Sequence, residues 1–423
     1  MRNDEPILRT VPPEEVAALR PGPVDAGTLT AAAAIVDAVR HEGWPAVERH
    51  ARRFGERPVD GRWIVSRSEL VAALEALGAE QRGLLERTAA RIRDFAEAQR
   101  RALADVDVAV PGGRAGHRVV PVERAGCYAP GGRHPLPSSV LMTAVTARTA
   151  GVAEVWVASP NPAPITLAAA AVAGADGLLA AGGAHAIAAL AFGAGELPSC
   201  GVVAGPGNRW VTAAKQLVAG TVGIDMLAGP SELVVLADEH ANPALAAADL
   251  LAQAEHDTDA VPILVSTSEA LVAAVNHELE VQLVDLPTAK TARAALSSNG
   301  FGVPCPGLDA AIAVCDRLAP EHLQIITRNP RAVAARLGRY GAMFIGPGSA
   351  EVLGDYGAGP NHTLPTGGAA RHTGGLSVLH FLAVRTWLEL DDPSRLAADA
   401  AALARCERLE AHARAAERRG TRR

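Results

Sequence analysis

The sequence predicts an α/β protein of two Rossmann-like parallel-sheet domains, with extended helical arms at its N- and C-terminal ends. Three observations predict it. The 423 residues are too many for one ordinary core. Beyond about residue 104, short apolar runs alternate with Ala-rich helical runs, the rhythm of strands joined by crossover helices. The composition is 49% hydrophobic but only 3% aromatic, so small Ala, Gly and Val side chains carry the apolar share and suit helices packed closely on a parallel sheet.

Residues 1–24 read as an arm. Apolar residues then recur at three- and four-residue spacing over 28–53 and from 68 to about 104, which predicts helices. A first βα series follows: strand 155–158, helix 165–173, strand 177–180, helix 184–192, strand 201–204, helix 210–218. A second series begins with strand 233–236 and helix 243–255, which has Pro243 in its first turn. Strand 262–265 and a helix from Ser268 continue it, and residues 342–345 form a short strand ending at Gly346-Pro347. A Gly-rich loop at 367–375 leads to a last long helix over about 393–418. The partition this suggests is an arm (1–24), a main domain (25–125 plus 231–375), an inserted domain (126–230) and a C-terminal arm (376–423).

The formal net charge is -6 and no long basic run precedes the tail, so no nucleic-acid partner is expected. The basic residues from Arg418 to Arg423 read as a solvated terminus. Five scattered cysteines without a Cys-x-x-Cys pair indicate reduced thiols of a cytosolic enzyme, not a disulfide scaffold. Residues 1–20 are charged and lack the apolar core of a signal peptide. Residues 177–195 carry no formal charge and are long enough to suggest a membrane helix. Gly182-Gly183 and His185 break the run, so a buried strand, turn and helix are expected, and no membrane partner.

Four constellations could carry chemistry. In Ala252-Gln-Ala-Glu-His-Asp, Gln253 and His256 share one helix face, with Asp257 beside them; a merely polar helix end has the same spacing. In Ala319-Pro-Glu-His-Leu, Glu321 and His322 sit on an interrupted helix after Pro320, an acid–base pairing that also occurs on ordinary surfaces. The run from Gly354 to Gly368 is a loop fixed by Gly and Pro that carries Asp355 and His362. Glu407 and His412 lie on the last helix and by themselves read as a solvated face. The His, Asp and Gln donors suit zinc or another divalent ion. Two Gly-rich turns, Tyr128-Ala-Pro-Gly-Gly and Ala204-Gly-Pro-Gly-Asn, follow strand-like runs and could hold a nucleotide, though neither completes Gly-x-Gly-x-x-Gly.

These segments, with Pro137-Ser-Ser-Val-Leu-Met and Gly223-Ile-Asp-Met-Leu-Ala-Gly-Pro-Ser-Glu, resemble the histidinol dehydrogenase family from about Val119 through His412. The resemblance implies an aldehyde-dehydrogenase-like fold and a cytoplasmic, zinc-dependent enzyme of the final steps of histidine biosynthesis. It would oxidise L-histidinol through the aldehyde to L-histidine with two NAD. It implies one zinc per subunit, bound by Gln253, His256, Asp355 and His412, and an acid–base pair, Glu321 and His322. Substrate contacts would be Ser231, Gln253, His256, His322, Asp355, Glu407 and His412. Residues 126–230 would be the NAD-binding domain, with cofactor contacts at Tyr128, His185 and Asn208. Position 185 departs from the family, which usually has Gln in a Gly-Gly-Ala-Gln-Ala-Ile context; imidazole can still make one hydrogen bond. The family is a homodimer, so the 376–423 arm would act in dimerisation, bringing Glu407 and His412 to the partner's site.

Three other readings compete. The first is a related zinc and NAD alcohol dehydrogenase acting on a different polar alcohol. The second is a binding protein that kept the fold. The third uses Cys127 as a nucleophile that traps the aldehyde as a thiohemiacetal.

Overall fold

The computed structural model describes residues 6–16, 24–131 and 134–420; the rest of the N-terminal arm, Gly132 of the first Gly-rich turn, and residues 421–423 of the basic tail lie outside them. Fifteen strands run through the described residues: β1 (Arg9–Thr10), β2 (Ile64–Ser66), β3 (Val106–Val110), β4 (Gly113–Pro121), β5 (Arg124–Tyr128), β6 (Glu154–Ala158), β7 (Gly177–Leu179), β8 (Val202–Ala204), β9 (Gly223–Ile224), β10 (Glu232–Ala237), β11 (Val261–Ser266), β12 (Phe301–Pro304), β13 (His322–Ile326), β14 (Ala342–Ile345) and β15 (Leu382–Leu390).

They form two six-stranded sheets and one of three strands. The first sheet has the order β2-β7-β6-β5-β8-β9 and is parallel except for β2. The second has the order β1-β12-β11-β10-β13-β14 and is parallel throughout. All six residues of the central β10 are buried, and its Leu-Val-Val-Leu run suits a strand covered on both faces. The third sheet, β15-β4-β3, is antiparallel.

The two parallel sheets match the predicted fold class, with differences of detail. The pattern over 28–53 is two helices, Ala26–Glu42 and Trp44–Arg53, divided at Gly43, whose φ of 64° is a left-handed value that glycine adopts freely. The last helix is likewise two, Ser394–Cys406 and Glu410–Gly420, with Arg408 at φ 62° between them. The apolar run over 177–195 is β7 and the helix Gly183–Phe192, and no helix among the described residues is long and apolar enough to cross a membrane. The described part of the N-terminal arm is not helical there: it adds β1 to the second sheet.

Of the segment 25–125, expected beside 231–375, β2 and the helices over 26–101 instead join the first sheet, while β3 and β4 pair with β15. The helices Ala26–Glu42 and Trp44–Arg53 lie against Gly183–Phe192, burying Val36, Val39 and Val47 with Ile187 and Leu190. Arg67–Glu75 packs on Pro164–Val172, and Ala79–Arg101 on Pro137–Ala150. The physical reason is β2. By pairing with β7 it ties residues 64–66 to the first sheet, and the flanking helices bury their apolar stripes where the strand leaves them.

Both parallel sheets reverse direction at one point. In the first, β5 leads to β6 and β7 on one side and β8 and β9 on the other, so the crevice between β5 and β8 opens at their carboxyl ends. In the second, the reversal lies between β10 and β13. Residues 225–231 alone join the carboxyl end of β9 to the amino end of β10, a reach of at most about 25 Å. The carboxyl edge of the first sheet and the amino edge of the second therefore adjoin.

Candidate active site

At the amino edge of the second sheet, β13 starts beside β10, with His322 opposite Leu233. Glu321 and His322 do not lie on an interrupted helix as expected. The helix Leu308–Leu318 ends at Ala319 in a left-handed conformation, and the chain enters β13 directly. Pro320 disfavours continued helix at the residue before it.

The backbone of Glu232 holds both members of the pair. Its N–H donates to Glu321 Oε2 at 2.8 Å, and its carbonyl lies 3.0 Å from His322 Nδ1. A carbonyl can only accept, so Nδ1 carries the hydrogen and the neutral ring keeps Nε2 as its free lone pair. Nε2 is buried with no hydrogen-bond partner among the described residues and lies 3.6 Å from Asp355 Oδ1. Burial alone would lower the His322 pKa, but Glu351, Glu321 and Asp355 override it and raise it well above the ordinary value. Burial pushes the Glu321 carboxyl up to about 8, against the charge of His322.

Four more side chains converge here. The short helix Glu351–Asp355 presents its two acids four residues apart on one face. His322, Glu351 and Asp355 offer ligand atoms all within 4.8 Å of one another. Gln253, in the last turn of the helix Pro243–Ala254, is fully buried, and both amide atoms are unpartnered among the described residues. His256, just past that helix, stands on the open side. The crowded groove still lowers its pKa, opposed by the charge of Asp355. A buried amide with no partner is costly in a native fold. The unpartnered Gln253 amide beside Asp355 and His256 thus fits a divalent cation held by oxygen and nitrogen donors, and leaves His322 Nε2 free. Asp257 caps its own turn, accepting from the Asp259 N–H, and takes no part.

The 354–368 loop spans the space between the two sheets. His362 Nδ1 bonds the Asp355 carbonyl at 2.9 Å, Asn361 donates to the Met142 carbonyl at 2.8 Å, and Gly367 N–H donates to Glu232 Oε1 at 2.8 Å. Arg91 Nε donates to the Gly357 carbonyl. Ser231 sits half-buried one residue before β10, on the same edge.

The second constellation lies across the linker. Tyr128 ends β5, and Gly183 N–H donates to its hydroxyl at 3.1 Å. His185 is fully buried, with Nε2 3.0 Å from Glu56 and Nδ1 unpartnered. The same Glu56 carboxylate accepts from Gly182 N–H. Asn208 caps the helix Arg209–Val218, its side chain accepting from Trp210 and Val211 N–H. Tyr128 and Asn208 thus flank the crevice between β5 and β8, and the His185 Nδ1, unpartnered among the described residues, and the Gly-rich turn before Asn208 fit a nucleotide.

Glu407 and His412 are not brought to this site within the chain. Both are exposed on the terminal helix pair, which β15 tethers to β4. Sequence reasoning missed Glu232, Glu351 and Glu56. Glu351 had one available signal, its four-residue spacing from Asp355.

A nucleotide-type crevice adjoining a buried imidazole–carboxylate cluster defines an oxidoreductase on a double parallel-sheet scaffold. Comparison with known proteins carries this further. A family model described as histidinol dehydrogenase matches residues 21–420. The histidinol dehydrogenase of Thermus thermophilus is 47% identical over 388 residues, covering 91% of this chain and 93% of its own length. That of Parasynechococcus marenigrum is 44% identical over 385 residues, covering 89% and 86%. A crystal structure of histidinol dehydrogenase from Elizabethkingia anophelis superposes with a TM-score of 0.90 at 31% identity, covering 99% of both chains. The chain belongs to the histidinol dehydrogenase family, NAD-dependent oxidoreductases of histidine biosynthesis.

Proposed function

We propose that the enzyme oxidises L-histidinol through the aldehyde to L-histidine, with zinc as its metal and two NAD consumed per turnover. The observation that carries the reading is the His322 imidazole: Nδ1–H tied to the Glu232 carbonyl, Nε2 free, Glu321 beside it. Gln253, His256 and Asp355 would hold the metal, one ion per subunit. The fourth ligand would be His412 of the partner subunit. When bound, zinc supplies a fixed charge for the substrate's amine and imidazole nitrogens, and NAD supplies the hydride acceptor.

With a bound cation's charge offsetting the carboxylates that otherwise favour the protonated ring, neutral His322 would take the hydroxyl proton at Nε2 as the first hydride leaves, and the Glu232 carbonyl steadies the resulting imidazolium through Nδ1–H. Glu321, its basicity raised by burial, accepts a proton from the water that adds to the aldehyde carbon, while His322 returns its proton to the aldehyde oxygen, giving the hydrate and a neutral ring. His322 takes a second proton as the hydrate loses its hydride and becomes the acid. Ser231 and the partner's Glu407 orient the substrate, Glu407 at its imidazole end. Tyr128, His185 and Asn208 receive NAD, so residues 126–230 are the NAD-binding domain.

A homodimer is part of this reading. Exposed Val106, Val108, Val384, Leu388, Leu403 and Leu409 crowd the antiparallel sheet and the terminal helices, an apolar surface that suits a second copy of the chain. The cytoplasm is its expected location. The test is the NADH yield per histidinol consumed, with and without a chelator. Two NADH, lost on chelation and restored by zinc, is expected; one NADH, or no turnover by the metallated enzyme, overturns the reading. One NADH from another polar alcohol would instead favour the related alcohol dehydrogenase.

A further inference from the structure

The sequence holds only two lysines among its 40 basic Lys and Arg residues, and one of them, Lys215, is buried. It projects from the helix Arg209–Val218 to the side chain of Asp225, and the pair is 2% and 0% exposed. A buried ion pair is a poor source of stability, since desolvating both charges offsets their attraction. Its geometry supplies another reason for it.

Both partners grip the same peptide group pair. Lys215 Nζ donates to the Gly205 carbonyl at 3.0 Å, and Gly205 N–H donates to Asp225 Oδ2 at 2.7 Å. Gly205 is the first residue after β8, in the Gly-Pro-Gly turn that leads to Asn208. It has φ 130°, and a Cβ there would stand 2.0 Å from the Tyr128 carbonyl oxygen. The clamped residue therefore touches the end of β5 on one side and opens the turn to Asn208 on the other. Asp225 also begins the 225–231 linker, so the clamp joins the crevice to the chain that enters β10.

We infer that Lys215 and Asp225 are positioning residues for the dinucleotide, fixing the width of the β5–β8 crevice by holding Gly205 against Tyr128. The inference rests on the reading that NAD binds between Tyr128 and Asn208. Neither side chain touches the cofactor; both act through the Gly205 backbone.

The test uses the full-length, zinc-loaded enzyme. Because a single substitution strands one buried charge and can unfold the chain, the informative variant is Lys215→Met/Asp225→Leu, which removes both charges. Its NAD affinity, read by titration calorimetry without histidinol, is expected to fall on the order of tenfold to a hundredfold. Zinc content and histidinol affinity should stay at wild-type values, and amide hydrogen exchange at 204–208 should accelerate. A folded double variant with wild-type NAD affinity overturns the clamp. Asn208→Ala, measured alongside, separates the two ideas. If it weakens NAD while the double variant does not, the clamp alone is wrong; if neither does, the crevice is not the NAD site and both fall.

Discussion

The two parallel sheets share an architecture and use opposite ends of it. The first offers the carboxyl edge at its reversal point, where Tyr128 and Asn208 flank the β5–β8 crevice. The second works from its amino edge, where β10 and β13 begin with Glu232, Glu321 and His322. Carboxyl edges suit nucleotides because Gly-rich turns and helix amino ends expose N–H groups there. An amino edge offers carbonyls and strand starts instead. Here the Glu232 carbonyl orients an imidazole, and three carboxyls surround it, Glu321 and Glu351 buried and Asp355 half-buried. The 225–231 linker joins the two edges, so the pairing of edges is a property of the chain's connectivity.

The comparison assigns chemistry to the second sheet, and His322→Asn is the sharpest way to break it. The amide cannot take a proton, so kcat should fall by roughly two to four orders of magnitude while zinc content is unchanged. Near-normal turnover would remove His322 as the base. Asp355→Asn should act next in size, weakening zinc on the order of tenfold to a hundredfold by metal titration. Wild-type zinc affinity in that variant would exclude Asp355 as a ligand.

The same edge should respond to pH when stripped of metal. Burial raises Glu321 from 4.5 to about 8 and Glu351 from 4.5 to about 7. A carboxyl raised on folding binds more protons folded than unfolded, so stability is lost as pH rises from about 4.5 to about 8. The raised His322 imidazole acts in the same direction, since its protonated form is favoured by folding. His50, His256, His362 and His380, all lowered by burial, act in the opposite sense, so the acids are isolated by comparison: between pH 5 and 8 the Tm of chelated wild-type protein should lose on the order of ~3 °C relative to a chelated Glu321→Gln/Glu351→Gln variant. Identical pH slopes in the two proteins would contradict the raised pKa of these acids.

Much of this contrast was legible in the sequence, but unevenly. The strand and helix at 177–192 and the strand at 232–237 are read easily, because a strand covered on both faces is a continuous apolar run and its ends are marked by Gly or Pro. Helix is the wrong expectation for β13 because His322-Leu-Gln-Ile-Ile holds only three apolar residues in five, too short a run for its period to separate strand from helix. β4 and β15 escaped because an antiparallel pair at the surface mixes Arg, Gly and Val without a continuous apolar signal. The allocation of 25–125 failed because helical stripes do not say which sheet they cover. In the site, the motifs carried Glu321, His322, Gln253 and Asp355. Glu351, Glu232 and Glu56 were invisible because a buried glutamate looks like any other until its partners fold around it.

The first sheet should show a gentler response. Asn208→Ala removes both a helix cap and the proposed cofactor contact, so KM for NAD should rise several-fold with KM for histidinol unchanged. An equal rise in both would place Asn208 outside the cofactor site. The smallest effect is expected at Cys127, in the middle of that same sheet. Its thiol is fully buried, and burial pushes its pKa up to about 12, so almost no thiolate exists at neutral pH. The residue lies on β5 one position before Tyr128, below the crevice and on the opposite face of the strand from its neighbour. A thiohemiacetal route would need that sulfur ionised and within reach of the aldehyde, and neither condition is met. Cys127→Ala should accordingly keep kcat within about twofold, at the cost of ~1 kcal/mol of stability from the small void it leaves. Loss of turnover in a folded, zinc-loaded Cys127→Ala enzyme would move the covalent chemistry to the first sheet and reverse the division of labour between the two edges.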